Sequence, residues 1–308
     1  MRLVFFGTPE FAVAPLKALL ASQHEVVAVV TQPDRHKGRG RKMQACPVKQ
    51  EAQYSGIRVI QPLEVSNKEF IHELSTIDPD VIVVVAYGQI LPSDIIHLPD
   101  SGCINIHASL LPRHRGASPI SRAIIDGDKK TGITTMLMDE GMDTGPILLQ
   151  EETEIRAEDT AGTLSDRLSL SGSRLILKTL EELEKGSLQP VPQAGEATYA
   201  PVMIKKDGLI DWTKSASDIS NFVRGMNPWP GAYTFLEGER LKIMKVNVVD
   251  ETGQAGTVER VLKDKLIIGA GRGCISVSEI QPSGRKTMDI RAFLQGKNLN
   301  RGMKFSIQ

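Results

Sequence analysis

Five short β-branched runs, separated by amphipathic stretches of helical length, constrain this chain more than any other feature. The runs are LVFFG (3–7), EVVAVVT (25–31), IRVIQP (57–62), DVIVVVAYG (80–88) and CINIHAS (103–109), with helices expected near 10–21, 47–55, 65–77 and 117–126. Strands that alternate with helical patterns build βαβ units around a mostly parallel sheet. The nearly uninterrupted apolar run VIVVVA fits a central strand buried on both faces. The first half is therefore expected to be an α/β, Rossmann-like doubly wound sheet.

Past residue 130 the pattern changes. TGITTMLMD (131–139) and GPILLQEETEI (145–155) alternate more strictly, and a long helix is expected over about 160–185, capped by Thr160 or Thr163 and stopped by Gly186. The segment SLQPVPQAGEATYAPVMIKKDG (187–208) is punctuated by proline and glycine and has no steady period, as a linker would. After one helix in SASDISNFVRGM come short strands with glycine-containing turns, including a hairpin about Glu237-Gly238-Glu239. That half is expected to be a smaller OB-like β-barrel. The expected division is a catalytic domain over 1–188, a linker over 189–207 and the second domain over 208–308.

At 308 residues the chain exceeds the usual size of one hydrophobic core, in keeping with two domains. The 37 basic and 37 acidic side chains exclude a generally polycationic nucleic-acid binder and move attention to local patches. Residues 35–50 hold six Lys/Arg and no Asp/Glu, with glycines at 38 and 40, so this loop is expected either to be solvated or to meet an anion such as phosphate. Residues 270–308 hold seven basic and two acidic side chains, a weaker echo. Cys46, Cys103 and Cys274 are too few and too scattered for a disulfide framework or a thiolate metal site. No apolar run approaches the roughly 18 residues of a membrane span, and a strand beginning at residue 2 leaves no room for a leader. The expectation is a cytoplasmic protein with reduced thiols, no membrane association and no metal, acting as a monomer.

The candidate chemistry lies in INIHASLLPRHRGASPI (104–120). Asn105 and His107, two apart on one strand, project to the same face and can act on one atom. At the carboxyl end of a parallel strand they would reach the usual ligand crevice of an open α/β sheet. Taken alone, they read equally as a buried, satisfied polar pair. Asp143, flanked by glycines in MDEGMDTGPI (138–147), adds a carboxylate able to orient and charge-stabilise His107. Two hydrogen-bonding groups and a carboxylate suit attack on a carbonyl. A serine nucleophile at Ser109 is the rival, but no G-x-S-x-G elbow is present. FFGTPEFA carries only the first glycine of a dinucleotide fingerprint, so Gly7 reads as a tight βα turn. His24, His36, His72 and His97 show no metal spacing, and Trp212 and Trp229 read as packing anchors.

N-x-H-x-S-L-L-P-x-x-x-G followed by D-x-G-x-D-T-G-P resembles the folate-dependent formyltransferases. The resemblance to those members that formylate methionyl initiator tRNA covers nearly the whole chain, including FFGTPEFA, TQPDRHKGRGRK, VVVAYGQILP and MNPWPGAY. It implies transfer of a formyl group from 10-formyltetrahydrofolate to an amine, with Asn105, His107 and Asp143 catalytic. It implies a folate pocket lined by Ser109, Leu110, Leu111 and Pro112 and by backbone near Tyr87, Gln89, Ile90 and Leu91. It also implies that Arg39, assisted by Arg41 and Lys42, meets the tRNA acceptor end, where an unpaired first position is the discriminating feature. His114 stands where the family commonly has Tyr, and Ser118 where it commonly has Ala. The alternatives in the same class are another 10-formyltetrahydrofolate-dependent transferase or a formyl-folate hydrolase. The alternative of another class is a non-catalytic RNA-binding module, against which the intact Asn105, His107 and Asp143 argue.

Overall fold

A computed structural model describes residues 1–37 and 42–306. The chain folds into two compact units, one of residues 1–119, 130–154 and 165–201, the other of 120–129, 155–164 and 202–308.

In chain order the first part carries β1 (Arg2–Gly7), α1 (Val13–Leu20), β2 (Glu25–Val30), β3 (Arg35–Lys37), β4 (Lys42–Gln44), α2 (Pro47–Tyr54), β5 (Val59–Ile60), α3 (Lys68–Ile77), β6 (Val81–Val85), α4 (Ser93–Ile96) and β7 (Cys103–His107). It continues with α5 (Pro119–Ile125), β8 (Lys130–Leu137), β9 (Ile147–Glu154) and α6 (Ala161–Glu184). Seven strands form one sheet in the order β5-β2-β1-β6-β7-β8-β9. The first five are parallel, whereas β8 pairs antiparallel with β7 and β9 antiparallel with β8. Strand order reverses about β1 and β6, the kind of position at which open α/β sheets hold their ligands. The sheet is thus α/β and mostly parallel, with an antiparallel edge that alternation alone does not orient.

Period two explains the double burial. Val4, Phe6, Ala28, Val30, Ile82, Val84 and Cys103 pack with Phe70 and Leu74 of α3 and Ile95 of α4. The intervening Leu3, Phe5, Val29, Val83 and Ile104 are fully buried on the opposite face. There α6 comes so close that a Cβ on Gly172 would lie 3.0 Å from Ile106 Cγ2. Asn105 and His107 share the face of Cys103, away from α6. Local signals set the ends: Asn67 accepts from the Phe70 amide at the start of α3, and Thr160 and Thr163 cap α6 reciprocally. At Gly7 an added Cβ would lie 2.7 Å from Phe5 Cε1 and 3.1 Å from the Val85 carbonyl oxygen, so close packing of a βα turn requires this glycine.

The second unit contains α7 (Ala216–Gly225), opened by a Ser215/Asp218 capping box, then β10 (Tyr233–Leu236), β11 (Glu239–Val249), β12 (Val258–Val261), β13 (Leu266–Gly269), β14 (Cys274–Pro282), β15 (Met288–Asp289), α8 (Ile290–Gly296) and β16 (Phe305–Ser306). Its sheet runs β12-β13-β14-β11-β10-β16, with β15 on β14, and is antiparallel throughout. Register shifts in β11 between Ile243 and Val246 bend that long strand. A bridge between Thr257 and Lys304 draws the two edges together, giving a half-barrel. Trp212 is buried in this core, tilted against Phe305 with ring centroids 5.8 Å apart. Trp229 does not pack as expected: between Pro228 and Pro230 it is 54% exposed.

Among the described residues no helix is long and apolar enough to cross a membrane, and no group of three or more His, Cys, Asp or Glu is placed to hold a metal ion. The three cysteines are free.

Candidate active site

Strand β7 ends with Asn105 half-buried and His107 5% exposed, and the turn between β8 and β9 brings Asp143 to both. Asn105 Nδ2 lies 3.4 Å from Asp143 Oδ1, and His107 Nδ1 lies 3.6 Å from Asp143 Oδ2. The firm bond to this carboxylate comes from elsewhere: the Gly116 amide donates to Oδ2 at 2.7 Å. Gly116 has φ +114°, and a Cβ there would lie 2.7 Å from the Ala200 carbonyl oxygen, so only glycine lets the amide turn in. Asp143 itself sits at φ +53°, a conformation uncommon for a residue with a side chain.

His107 has a defined tautomer. Its Nε2 lies 3.0 Å from the His114 carbonyl oxygen, which can only accept, so Nε2 carries a proton. Burial holds the His107 pKa below its ordinary 6.5, with the Asp143 carboxylate opposing that shift. A neutral ring protonated on Nε2 leaves Nδ1 with its lone pair, beside a carboxylate that stabilises the imidazolium formed when Nδ1 takes a proton. His114 stood out in the sequence only for replacing the Tyr common in the resembling family, yet its main chain fixes His107.

The stretch after β7 is pinned by Ser109 together with Thr134 and Gln150, two residues the sequence did not flag. Ser109 is fully buried and donates through Oγ to the Arg113 carbonyl at 2.6 Å, which removes it from nucleophilic chemistry. Thr134 donates to the Ser109 carbonyl at 2.7 Å and accepts from the Leu111 amide at 3.2 Å, while Gln150 donates to the Leu111 carbonyl at 3.0 Å. Leu111 is buried, whereas Leu110 and Pro112 are part-exposed.

The other expected folate contacts differ among themselves. Tyr87 is buried edge-on to Phe6, with ring centroids 5.0 Å apart, and burial pushes its phenol up to about 12. Leu91 is buried, and Ile90 is 85% exposed. Gln89 accepts from the Val65 amide at 2.9 Å and donates to the Leu63 carbonyl at 3.2 Å, so its side chain holds the 63–65 loop. Of the expected tRNA contacts, Arg39 and Arg41 lie outside the described residues. Lys42 opens β4, which pairs antiparallel with β3.

An α/β sheet followed in the chain by a half-barrel, with an amide, an imidazole and a carboxylate converging at a strand end, defines a class of acyl-group transferases without a serine nucleophile. The family signature described as "Formyl transferase" matches residues 1–180, and that described as "Formyl transferase, C-terminal domain" matches 203–298. The chain belongs to the formyl transferase family. It is 48% identical over 301 residues to the methionyl-tRNA formyltransferase of Thermodesulfovibrio yellowstonii, covering 98% of this chain and 97% of that one. To the methionyl-tRNA formyltransferase of Pelotomaculum thermopropionicum it is 50% identical over 306 residues, 98% of each chain. In fold it is similar to an N-formyltransferase from Helicobacter canadensis in complex with folinic acid and dTDP-3-aminofucose, with a TM-score of 0.69 at 21% identity, covering 91% of this chain and 98% of that one.

Proposed function

We infer that this protein transfers the formyl group of 10-formyltetrahydrofolate to the α-amine of methionyl initiator tRNA. The observation that carries the acceptor is the similarity to methionyl-tRNA formyltransferases over 98% of the chain. What supports the chemistry is the loosely bonded convergence of Asn105, His107 and Asp143.

In the proposed mechanism the amine nitrogen attacks the formyl carbon and the carbonyl electrons move to oxygen. Asn105 Nδ2, held only at 3.4 Å by Asp143, has an N–H to donate to that oxygen in a hydrogen bond. His107 Nδ1 accepts the proton lost by the amine, and the imidazolium next to Asp143 adds positive charge beside the oxyanion. The carbonyl then re-forms, the bond from carbon to the folate N10 breaks, and the proton passes to N10. No covalent enzyme intermediate is involved.

The proposed folate wall uses the exposed face of Ile90 with Leu110 and Pro112. Tyr87, Gln89, Leu91, Ser109 and Leu111 back that wall and set its main chain. Arg39, Arg41 and Lys42 are proposed to meet the acceptor-stem phosphates, and no metal takes part. Incubation with formyl-labelled 10-formyltetrahydrofolate and methionyl initiator tRNA tests the reading. Label is expected on the aminoacyl group; label in formate alone would make the protein a hydrolase.

A further inference from the structure

Residues 191–200 read in the sequence as linker without a steady period, yet they are bonded to both segments that shape the candidate site. Val191 and Ile147 exchange main-chain hydrogen bonds, each 2.8 Å, at the start of β9. Further on, the Arg115 amide donates to the Thr198 carbonyl at 2.8 Å, the Ala200 amide to the Arg115 carbonyl at 2.7 Å, and the Ser118 amide to the Ala200 carbonyl at 3.1 Å. Thr198 Oγ1 also accepts from the His114 amide at 2.9 Å. This is the segment whose His114 carbonyl fixes His107 and whose Gly116 amide fixes Asp143.

Gln193 ties the two ends together. Its Nε2 donates to the carbonyls of Asp143 and Gly145, both at 2.8 Å, and its Oε1 accepts from Arg115 Nε at 3.2 Å and Nη2 at 2.7 Å. Both amide protons and both lone pairs are thereby used. The main chain on either side of Thr144 is held, and with it the left-handed backbone of Asp143 that aims its carboxylate at Asn105 and His107.

We propose that residues 191–200 are a strap that positions the reacting groups, with Gln193 as the positioning residue for Asp143. The inference rests on the catalytic reading above. Gln193 touches no reacting group. Its loss acts by letting the carboxylate drift from Asn105 and His107, which weakens the larger of the two influences that raise the His107 pKa, the other being the hydrogen bond to the His114 carbonyl.

The test measures formyl transfer to methionyl initiator tRNA by the full chain carrying Gln193→Met, with Asp143→Ala alongside. The expected result is a fall in kcat of roughly 10- to 100-fold, unchanged KM for both substrates, and an acid limb of the pH profile moved to lower pH. A loss confined to KM, or an unmoved kcat and acid limb, overturns the proposal provided that Asp143→Ala is inactive. If Asp143→Ala remains active, the catalytic reading itself has failed. Arg115→Met, which removes the other side of the Gln193 contact, is expected to show the same split. It decides the question if Gln193→Met does not fold.

Discussion

Two polar clusters in the first unit bond a carboxylate to a cationic or ionisable partner, and they differ in how completely their atoms are bonded. After β2, Asp34 accepts from Lys49 Nζ at 2.7 Å, and Lys49 also donates to Gln61 Oε1 at 2.7 Å. Gln61 returns to Asp34 Oδ1 at 3.0 Å and to the Gln32 carbonyl at 2.8 Å, closing the ring. The Lys49 and Gln61 bonds hold the Asp34 carboxyl below its ordinary range. After β7, Asp143 meets Asn105 and His107 only at 3.4 and 3.6 Å, although His107 is the more deeply buried. Short, mutually satisfied bonds make a scaffold, here at the root of the β3/β4 hairpin. Long contacts at a buried site leave protons and lone pairs for a substrate.

The largest expected effect breaks the loose cluster. Asp143→Asn should slow formyl transfer on the order of 10²- to 10⁴-fold, the usual scale for a lost acid/base partner. The carboxylate raises the His107 pKa against burial, so its removal should move the ring's titration further below 6.5; NMR of the ring protons checks this. Protons taken up by the unfolded histidine near 6.5 are taken up by the folded one only at lower pH. His107 therefore favours the folded state above that window, and the contribution is lost as pH falls through it.

A smaller and different effect is expected from the closed cluster. Lys49→Met should lower the thermal midpoint and leave the formyl-transfer rate at saturating substrates unchanged; a loss of rate comparable to that of Asp143→Asn would erase the distinction. The same cluster should show a stability loss in acid, as pH falls from the ordinary Asp value through the lower folded one, measured as midpoint against pH. The smallest effect is expected at Ser109. Ser109→Ala removes one buried hydrogen bond to the Arg113 carbonyl and should cost about 1 kcal/mol by denaturant titration while the enzyme stays active.

Much of the sheet was legible because strand runs and helix caps are local signals. Asn105 and His107 could be paired by period two, and Asp143 was marked by the glycines around it. The direction of β8 and β9 was not legible, since an alternating strand reads alike either way. The Asp34–Lys49–Gln61 ring closes only when separated segments fold together. Gln193 lies 50 residues from Asp143 in a stretch without period, and no local pattern joins them. The Ser109 reading needed burial to decide it: the hydroxyl faces a carbonyl, not an acyl group.

The most direct measurement is a single-turnover formyl-transfer rate for Asn105→Ala, with formyl-folate and methionyl initiator tRNA both saturating and tRNA affinity measured in parallel. The expected rate is roughly 10²- to 10³-fold slower, the cost of one lost oxyanion donor, with tRNA binding retained. An undiminished single-turnover rate, or a loss residing in tRNA affinity, would contradict the role of Asn105 at the formyl oxygen.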